Sequence, residues 1–134
     1  MANDKTIRDL LSSAQTIAVV GLSNNPLRAS HNVAEYLQSK GYRIIPVNPN
    51  VTEVLGERAV ASLDEISGPI DIVDVFRRSE YVPDIVEAAI RRNARVIWMQ
   101  LGVANEAAAE RARDAGLEVV MDRCILQDHM QYFR

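Results

Sequence analysis

The stretch "TIAVVGLSNNPLRASHNVAEYL" (residues 16–37) passes from an apolar run through Gly21 and a polar loop into a helical pattern. A strand, a tight turn and a helix in this order open many nucleotide-binding folds. The glycine-rich fingerprint G-x-G-x-x-G is absent, because the single glycine is followed by Leu22, Ser23, Asn24, Asn25 and Pro26. The stretch therefore predicts a ligand loop but leaves open what that loop binds.

The bulk properties are those of an ordinary globular domain. The chain has 134 residues, 48% of them hydrophobic and 25% charged, which predicts one domain over residues 1–134. The net charge of −3 gives no reason to expect a nucleic-acid or membrane surface. The single cysteine, Cys124, excludes an internal disulfide, and no apolar run has the length of a signal peptide or membrane helix. We therefore expect a cytoplasmic protein.

Five apolar, β-rich runs alternate with helical patterns, at residues 16–22, 42–48, 70–76, 95–101 and 117–121. Nearly continuous apolar runs are typical of strands buried on both faces, as in parallel sheets. The pattern predicts an α/β fold: a Rossmann-like doubly wound parallel sheet of about five strands, in the order 3-2-1-4-5, with helices on both faces. We also expect a short strand near residues 58–60, a helical turn at 63–66, and a helix at 4–14 whose apolar residues face the sheet.

In sheets of this kind, ligands bind beyond the carboxyl ends of the strands, at the point where the strand order reverses. The predicted order places that point between the first and fourth strands. The loops at this edge concentrate polar side chains, turn residues and cations, and they cover residues 22–30, 48–52, 76–80 and 101–105.

The first of these loops has the composition of a phosphate site. Gly21 allows a tight turn and a close backbone approach, and the helix that follows offers free N–H groups. Ser23, Asn24 and Asn25 add polar donors, Arg28 adds a charge suited to phosphate, and Ser30 is expected to cap the helix. The alternative is an ordinary strand–helix loop with a solvated arginine.

The loop after the second strand argues against NAD. A dinucleotide site holds the ribose with an acidic residue at this point, but no carboxylate occurs here before Glu53. Asn48, Pro49 and Asn50 instead form a neutral turn, which either lies along an adenine ring or is simply a stiff connection.

Two arginines, Arg77 and Arg78, directly follow Phe76 at the end of the third run. Guanidinium groups in this position could meet a second phosphate group, or they could pair with Glu80, Asp84 or solvent.

Catalytic constellations are not evident in the sequence. His31 and His129 are the only histidines and give no zinc pattern, and His129 falls in a polar tail. Asp71 and Asp74 interrupt the third run without an obvious catalytic partner, and we expect Asp74 to cap a loop. No catalytic residue and no metal site are predicted.

The motifs "VVGLSNNPLRAS", "GYRIIPVNP", "IDIVDVFRRSE" and "WMQLGVANEAAAERARDAGLEVVMDRC" occur in order between about residues 5 and 124. Together they resemble the small stand-alone CoA-binding proteins of bacteria and archaea, the YccU-like group. These proteins are similar to the N-terminal CoA-binding domain of the succinyl-CoA synthetase alpha subunit. The resemblance implies a Rossmann-like fold that holds coenzyme A across the strand ends.

The resemblance also implies which residues bind the cofactor. The loop after the first strand receives the phosphates, the turn after the second lies beside the adenosine, and the segments after the third and fourth line the cofactor. With Gly21 and Arg28 added, the implied residues are Ser23, Asn24, Asn25, Pro26, Asn48, Pro49, Asn50, Phe76, Arg77, Arg78, Gln100, Leu101 and Gly102.

The chain departs from this family at two informative points. Many members carry a lysine just after the N-P turn, where this chain has Asn50 and Val51, so a cation for the 3′-phosphate is missing there. Many also have a proline after R-C, where this chain has Ile125, so its tail is expected to pack differently. The second alpha-subunit domain of the synthetase, with its phosphorylated histidine, has no counterpart in the sequence.

These observations predict a module that binds coenzyme A or a short acyl-CoA without catalytic machinery of its own. Its expected partner is this small molecule, with a homo-oligomer or an unknown protein partner also possible. One alternative is an NAD(P)-binding enzyme or redox-sensing domain. Another is an interaction protein whose pocket is vestigial.

Overall fold

The computed structural model describes residues 4–133, which form a parallel sheet between two layers of helices. The helices are α1 (Asp4–Ser13), α2 (Ala29–Ser39), α3 (Val82–Arg91), α4 (Glu106–Asp114) and α5 (Ile125–Tyr132). The strands are β1 (Thr16–Val20), β2 (Arg43–Val47), β3 (Glu53–Val54), β4 (Glu57–Arg58), β5 (Ile72–Val75), β6 (Val96–Met99) and β7 (Glu118–Val120). None of these helices is long and apolar enough to cross a membrane.

The sheet confirms the predicted fold class but corrects the predicted strand order. Five parallel strands are arranged β2-β1-β5-β6-β7, while β3 and β4 form a separate small hairpin. The third apolar run, residues 70–76, therefore lies beside β1 and not outside β2. The point where the strand order reverses lies between β1 and β5, the first and third runs.

The long connection after β2 explains the difference. Val60 forms a parallel bridge with Val47, so it occupies the outer position that the prediction assigned to the third run. The chain then crosses back over the sheet, where Leu63, Ile66 and Ile70 are buried. The expected helical turn is present as a 3-10 turn at Leu63–Glu65.

Each face of the sheet has its own apolar core. One core joins β-strand side chains to α3, α4 and the crossing connection, and the other joins them to α1, α2 and α5. As predicted, Ile7, Leu10 and Leu11 of α1 are buried in the second core. Trp98 is also fully buried there, and its indole N–H donates to the Arg123 carbonyl.

The C-terminal helix α5 was not anticipated from the sequence. It packs against α1 and α2, and His129 is 5% exposed, so the expectation of a polar tail is wrong at this residue.

Polar contacts accompany this packing. The Tyr36 hydroxyl lies 2.7 Å from His129 Nδ1, and Arg123 forms a 2.7 Å ion pair with Asp128. Burial lowers the pKa of His129, and the nearby Lys40 lowers it further.

The two acidic residues of the third run have opposite environments. Asp71 accepts hydrogen bonds from the backbone N–H groups of Gln15 and Thr16 and pairs with Arg95. Burial alone would raise the pKa of Asp71, but these contacts outweigh burial and the pKa is lowered. Asp74 is fully buried between Val19 and Trp98, and its carboxylate oxygens have no hydrogen-bond partner among the described residues. Asp74 therefore does not cap a loop, and burial raises its pKa well above the usual value.

We predict that Asp74→Asn stabilises the protein increasingly as pH rises. The folded state keeps a proton on Asp74 that the unfolded chain releases above a pKa of about 3.9. Wild-type stability should therefore fall with pH relative to the variant, by up to about 1.4 kcal/mol per pH unit until the folded pKa is reached. Urea unfolding of both proteins between pH 4 and pH 8 measures this difference.

Asp71→Asn is the matched control, because its carboxylate is stabilised in the fold. Its loss should destabilise the protein at pH 7, with the deficit shrinking as the pH falls through the lowered pKa of Asp71. A constant stability difference between Asp74→Asn and wild type across the pH range would contradict a protonated Asp74.

Candidate functional site

Two adjoining cavities lie at the carboxyl ends of the strands, where the order of the sheet reverses. Their volumes are about 410 and 280 Å³, and both are lined by Gly21, Asn48 and Phe76. These residues follow β1, β2 and β5, so the cavities meet at the point where the parallel-sheet rule places a ligand. We call the larger cavity the Arg28 cavity and the smaller one the Arg77 cavity, after the arginine that lines each.

The Arg28 cavity lies at the start of α2. Besides the three shared residues, its lining comprises Ser23, Arg28, Ala29 and Ser30. Arg28 is exposed and forms no ion pair within residues 4–133. It precedes the first helical residue and caps the helix without a side-chain hydrogen bond. The first N–H groups of a helix have no partner within the helix, so this cavity combines a positive dipole end with a free guanidinium.

The loop between β1 and α2 is held by its own polar side chains. The Ser23 N–H donates to Ser30 Oγ at 3.1 Å, and the Asn25 N–H donates to Ser23 Oγ at 3.0 Å. Asn25 Oδ1 in turn accepts from the Leu27 N–H at 3.0 Å. The expectation that Ser30 caps α2 is therefore wrong, because Ser30 lies inside the helix and fastens the loop. Much of the polarity predicted to face a ligand stabilises the loop itself.

Gly21 allows the ends of β1 and β5 to lie close together. Its φ is +87°, and a Cβ atom placed on it would lie 2.5 Å from the Phe76 carbonyl oxygen. Its N–H donates to the Val47 carbonyl at 2.8 Å and so is not free for an anion. The glycine is thus required by the contact between the ends of β1 and β5, and the prediction that its backbone approaches an anion does not hold for this N–H group.

The Arg77 cavity lies over the turn after β2. Its lining adds Val47, Pro49, Asn50 and Arg77 to the shared residues. The Asn48 amide donates to the Leu22 carbonyl at 3.1 Å, and Asn48 Oδ1 accepts from the Asn50 N–H at 2.9 Å. The turn is therefore fastened to the end of β1, as a rigid and neutral wall.

The two consecutive arginines after β5, Arg77 and Arg78, have different surroundings. Arg77 lines the cavity, and its guanidinium carbon lies 4.2 Å from the centre of the Tyr81 ring. Arg78 is exposed, donates to the Tyr81 hydroxyl and pairs with Glu80 at 3.5 Å. The sequence alternative of surface pairing thus describes Arg78, whereas Arg77 has no carboxylate partner in the described structure.

The loop after β6 lies at the same edge but outside both cavities. Gln100 is buried and accepts from the Ile125 N–H, and the Gly102 N–H donates to Asp122 at 2.7 Å. Leu101 is 64% exposed. Of the predicted binding residues, the structure places outside the lining of the two cavities Asn24, Asn25, Pro26, Arg78, Gln100, Leu101 and Gly102.

The structure adds lining residues that sequence reasoning did not select. Ala29 lies inside a predicted loop and Val47 next to one, but their apolar side chains contribute little chemistry and carry no sequence signal of their own. Neither cavity is lined by a carboxylate, a histidine or a cysteine. Within residues 4–133, no group of three or more His, Cys, Asp or Glu is placed to hold a metal ion.

Larger cavities of about 550 and 430 Å³ lie at the opposite edge, near α5. They share Lys40 and Phe133, and the smaller of the two extends to the residues before β1 and β2. Lys40 already lies 5.5 Å from the Tyr36 ring centre, and these cavities lack the arginines, strand ends and helix start that meet between β1 and β5. We therefore take the two smaller cavities as the candidate site.

Comparison with known proteins identifies similar chains. Residues 15–130 match the model of a family described as a CoA binding domain. The chain is 50% identical to the uncharacterized protein YneT of Bacillus subtilis (strain 168) over 123 residues, 92% of this chain and 91% of that protein. It is also similar to the solved structure of a hypothetical protein from Pyrococcus horikoshii OT3, with a TM-score of 0.96 and 36% identity over 99% of this chain and 94% of that one.

A further relative is the alpha subunit of ADP-forming acetate–CoA ligase II of Pyrococcus furiosus. It is 32% identical over 75 residues, which cover 55% of this chain but 16% of that subunit. The similarity therefore concerns one part of that subunit, and its activity is not carried over.

We predict that Gly21→Ala destabilises the ligand-free protein more than Gly102→Ala does. Both glycines have φ of +87°, but a Cβ on Gly102 would meet nothing within 4 Å. The left-handed conformation should cost each variant about 1–2 kcal/mol. The contact with the Phe76 carbonyl should cost Gly21→Ala about 1–3 kcal/mol more, as overpacking does. Urea unfolding without ligand measures both, and equal losses would show that the ends of β1 and β5 separate easily.

Proposed function

This chain belongs to the CoA-binding domain family, and on that premise we propose that it binds coenzyme A or a short acyl-CoA at the carboxyl ends of β1, β2 and β5. The observation that carries the proposal is the pair of adjoining cavities, each with one arginine that has no carboxylate partner in the described chain. Arginine is well suited to phosphate, and coenzyme A carries phosphate in two separate places.

The residues present fit such a ligand. Arg28 and the first turn of α2 would receive the pyrophosphate, since a helix start favours anions. Asn48, Pro49 and Asn50 would lie beside the adenosine, and Phe76 would contact the cofactor from the end of β5. The exposed Leu27 and Leu101 lie in the two loops that flank this edge and would be available to the apolar parts of the ligand.

The rival NAD function has less support, and NADP, whose ribose also carries a phosphate, is separated from CoA by the binding test below. The turn after β2 offers amides where an NAD site places an acid, and Asn48 is already bonded to Leu22 and Asn50. The cavities are lined by guanidinium, amide, hydroxyl and apolar groups, which suit binding rather than acid–base or nucleophilic chemistry. We propose a binding module without catalysis of its own.

Calorimetry and thermal unfolding with CoA, acetyl-CoA, NADH and NADPH test this function. CoA or acetyl-CoA should bind more tightly than either nicotinamide cofactor. At a ligand concentration of 100 times Kd, the bound ligand should add about 2.7 kcal/mol to stability. Binding of NADH without binding of CoA would overturn the proposal, and a protein that binds none of the four would favour a vestigial pocket.

We predict that Arg28→Ala weakens CoA binding without unfolding the domain. Arg28 is exposed and makes no side-chain hydrogen bond at the start of α2, so its removal should leave stability nearly unchanged. The loss of a charge-assisted contact should reduce the binding free energy by about 1.5–3 kcal/mol.

Arg113→Ala is the matched control, since it removes the same charge from an exposed position in the last turn of α4. Calorimetry should show its CoA affinity unchanged. If Arg28→Ala and Arg113→Ala behave alike, Arg28 does not touch the ligand.

A further inference from the structure

The side chain of Arg77 crosses the end of the neighbouring strand. Arg77 follows β5, but it lines a cavity whose other walls are the residues that follow β2. The two strands are separated by β1. The crossing passes over Gly21, because the Arg77 Cδ lies 3.2 Å from the place that a Gly21 Cβ would occupy. The absent side chain of Gly21 thus opens a path for the arginine to the turn after β2.

Arg77 is held in this position but its charge is not neutralised. It is half-buried, and its guanidinium lies over the Tyr81 ring at 4.2 Å. The neighbouring Arg78, in contrast, is exposed and paired with Glu80. A ring face orients a guanidinium while leaving its N–H groups available for hydrogen bonds. Arg77 is therefore a positioned cation without a protein anion, and it lines the same cavity as a neutral turn.

The turn itself supplies no cation. Asn48 and Asn50 are bonded to each other through Asn48 Oδ1, and Pro49 has no N–H to donate. The Arg77 cavity contains no other cationic side chain in its lining. A negatively charged group beside this turn would therefore be recognised by Arg77.

We propose that Arg77 binds the phosphate on the ribose of the ligand, the 3′-phosphate of coenzyme A, while Arg28 binds the pyrophosphate. This inference rests on the proposed function and names the group that the site selects. In dinucleotide-binding sheets of this kind the adenosine ribose lies near the end of the second strand, and a nearby arginine accommodates its phosphate, the 2′-phosphate of NADP. The Arg28 cavity lies at the start of α2, where pyrophosphate is bound in such folds. The two arginines therefore divide the two phosphate positions between them.

The test compares CoA with 3′-dephospho-CoA by calorimetry. Wild type should prefer CoA by about tenfold or more, the effect of a charge-assisted contact. Arg77→Met keeps the aliphatic stem beside Gly21 and should abolish this preference, by weakening CoA and leaving dephospho-CoA unchanged within about twofold. Arg28→Ala should weaken both ligands equally and keep the preference.

Arg78→Met is the control from the adjacent position, and it should retain the wild-type preference. If Arg77→Met does not fold, two other measurements decide instead: wild type should bind adenosine 3′,5′-bisphosphate more tightly than AMP, and Arg77→Lys should keep part of the preference for CoA. A preference that survives Arg77→Met, or that is absent in wild type while both CoA forms bind, would overturn the role of Arg77 alone. Tighter binding of NADPH than CoA, or no binding of either CoA form, would instead overturn the proposed function.

Discussion

The ends of β1 and β5 approach each other so closely that only a hydrogen atom fits between the Gly21 Cα and the Phe76 carbonyl. This contact lies where the strand order reverses, so it determines how near the loops of the two halves of the sheet can come. It lets Phe76 line both cavities and lets Arg77 pass over the end of β1. The candidate site depends on this one missing side chain more than on any polar group.

The polarity of the loop after β1 serves mainly the loop. Ser23 and Ser30 hold its two ends together, and Asn25 closes the turn between them. Because these groups bond to each other, the positive charge available to a ligand comes from Arg28 and Arg77, which take no part in those hydrogen bonds. The proposed phosphate site therefore relies on guanidinium groups where a glycine-rich loop presents backbone N–H groups, and this explains why one glycine is enough.

The fold class, the core helix α1 and the 3-10 turn could be predicted from the sequence, because apolar periodicity and turn residues are local signals. The strand order could not, because it depends on Val60, a single bridging residue inside a long connection. For the site, the sequence indicated Arg77 and Arg78 as candidates but not that their surroundings differ. The different surroundings of Arg77 and Arg78 depend on Tyr81, and the role of Ser30 depends on Ser23; both are short-range side-chain contacts inside loops, where no periodic pattern predicts them.

The packing of α5 against α1 joins the two ends of the described chain in space. During synthesis, α1 is made before α5, and the helix that covers part of it follows roughly ten seconds later. Until then, the apolar residues Ile7 and Leu11 are not fully buried, since Ile125 of α5 belongs to the same core. The nascent chain therefore carries an unfinished apolar surface on α1 until α5 has been made, and this part of the second core closes only after all five strands of the main sheet have been made.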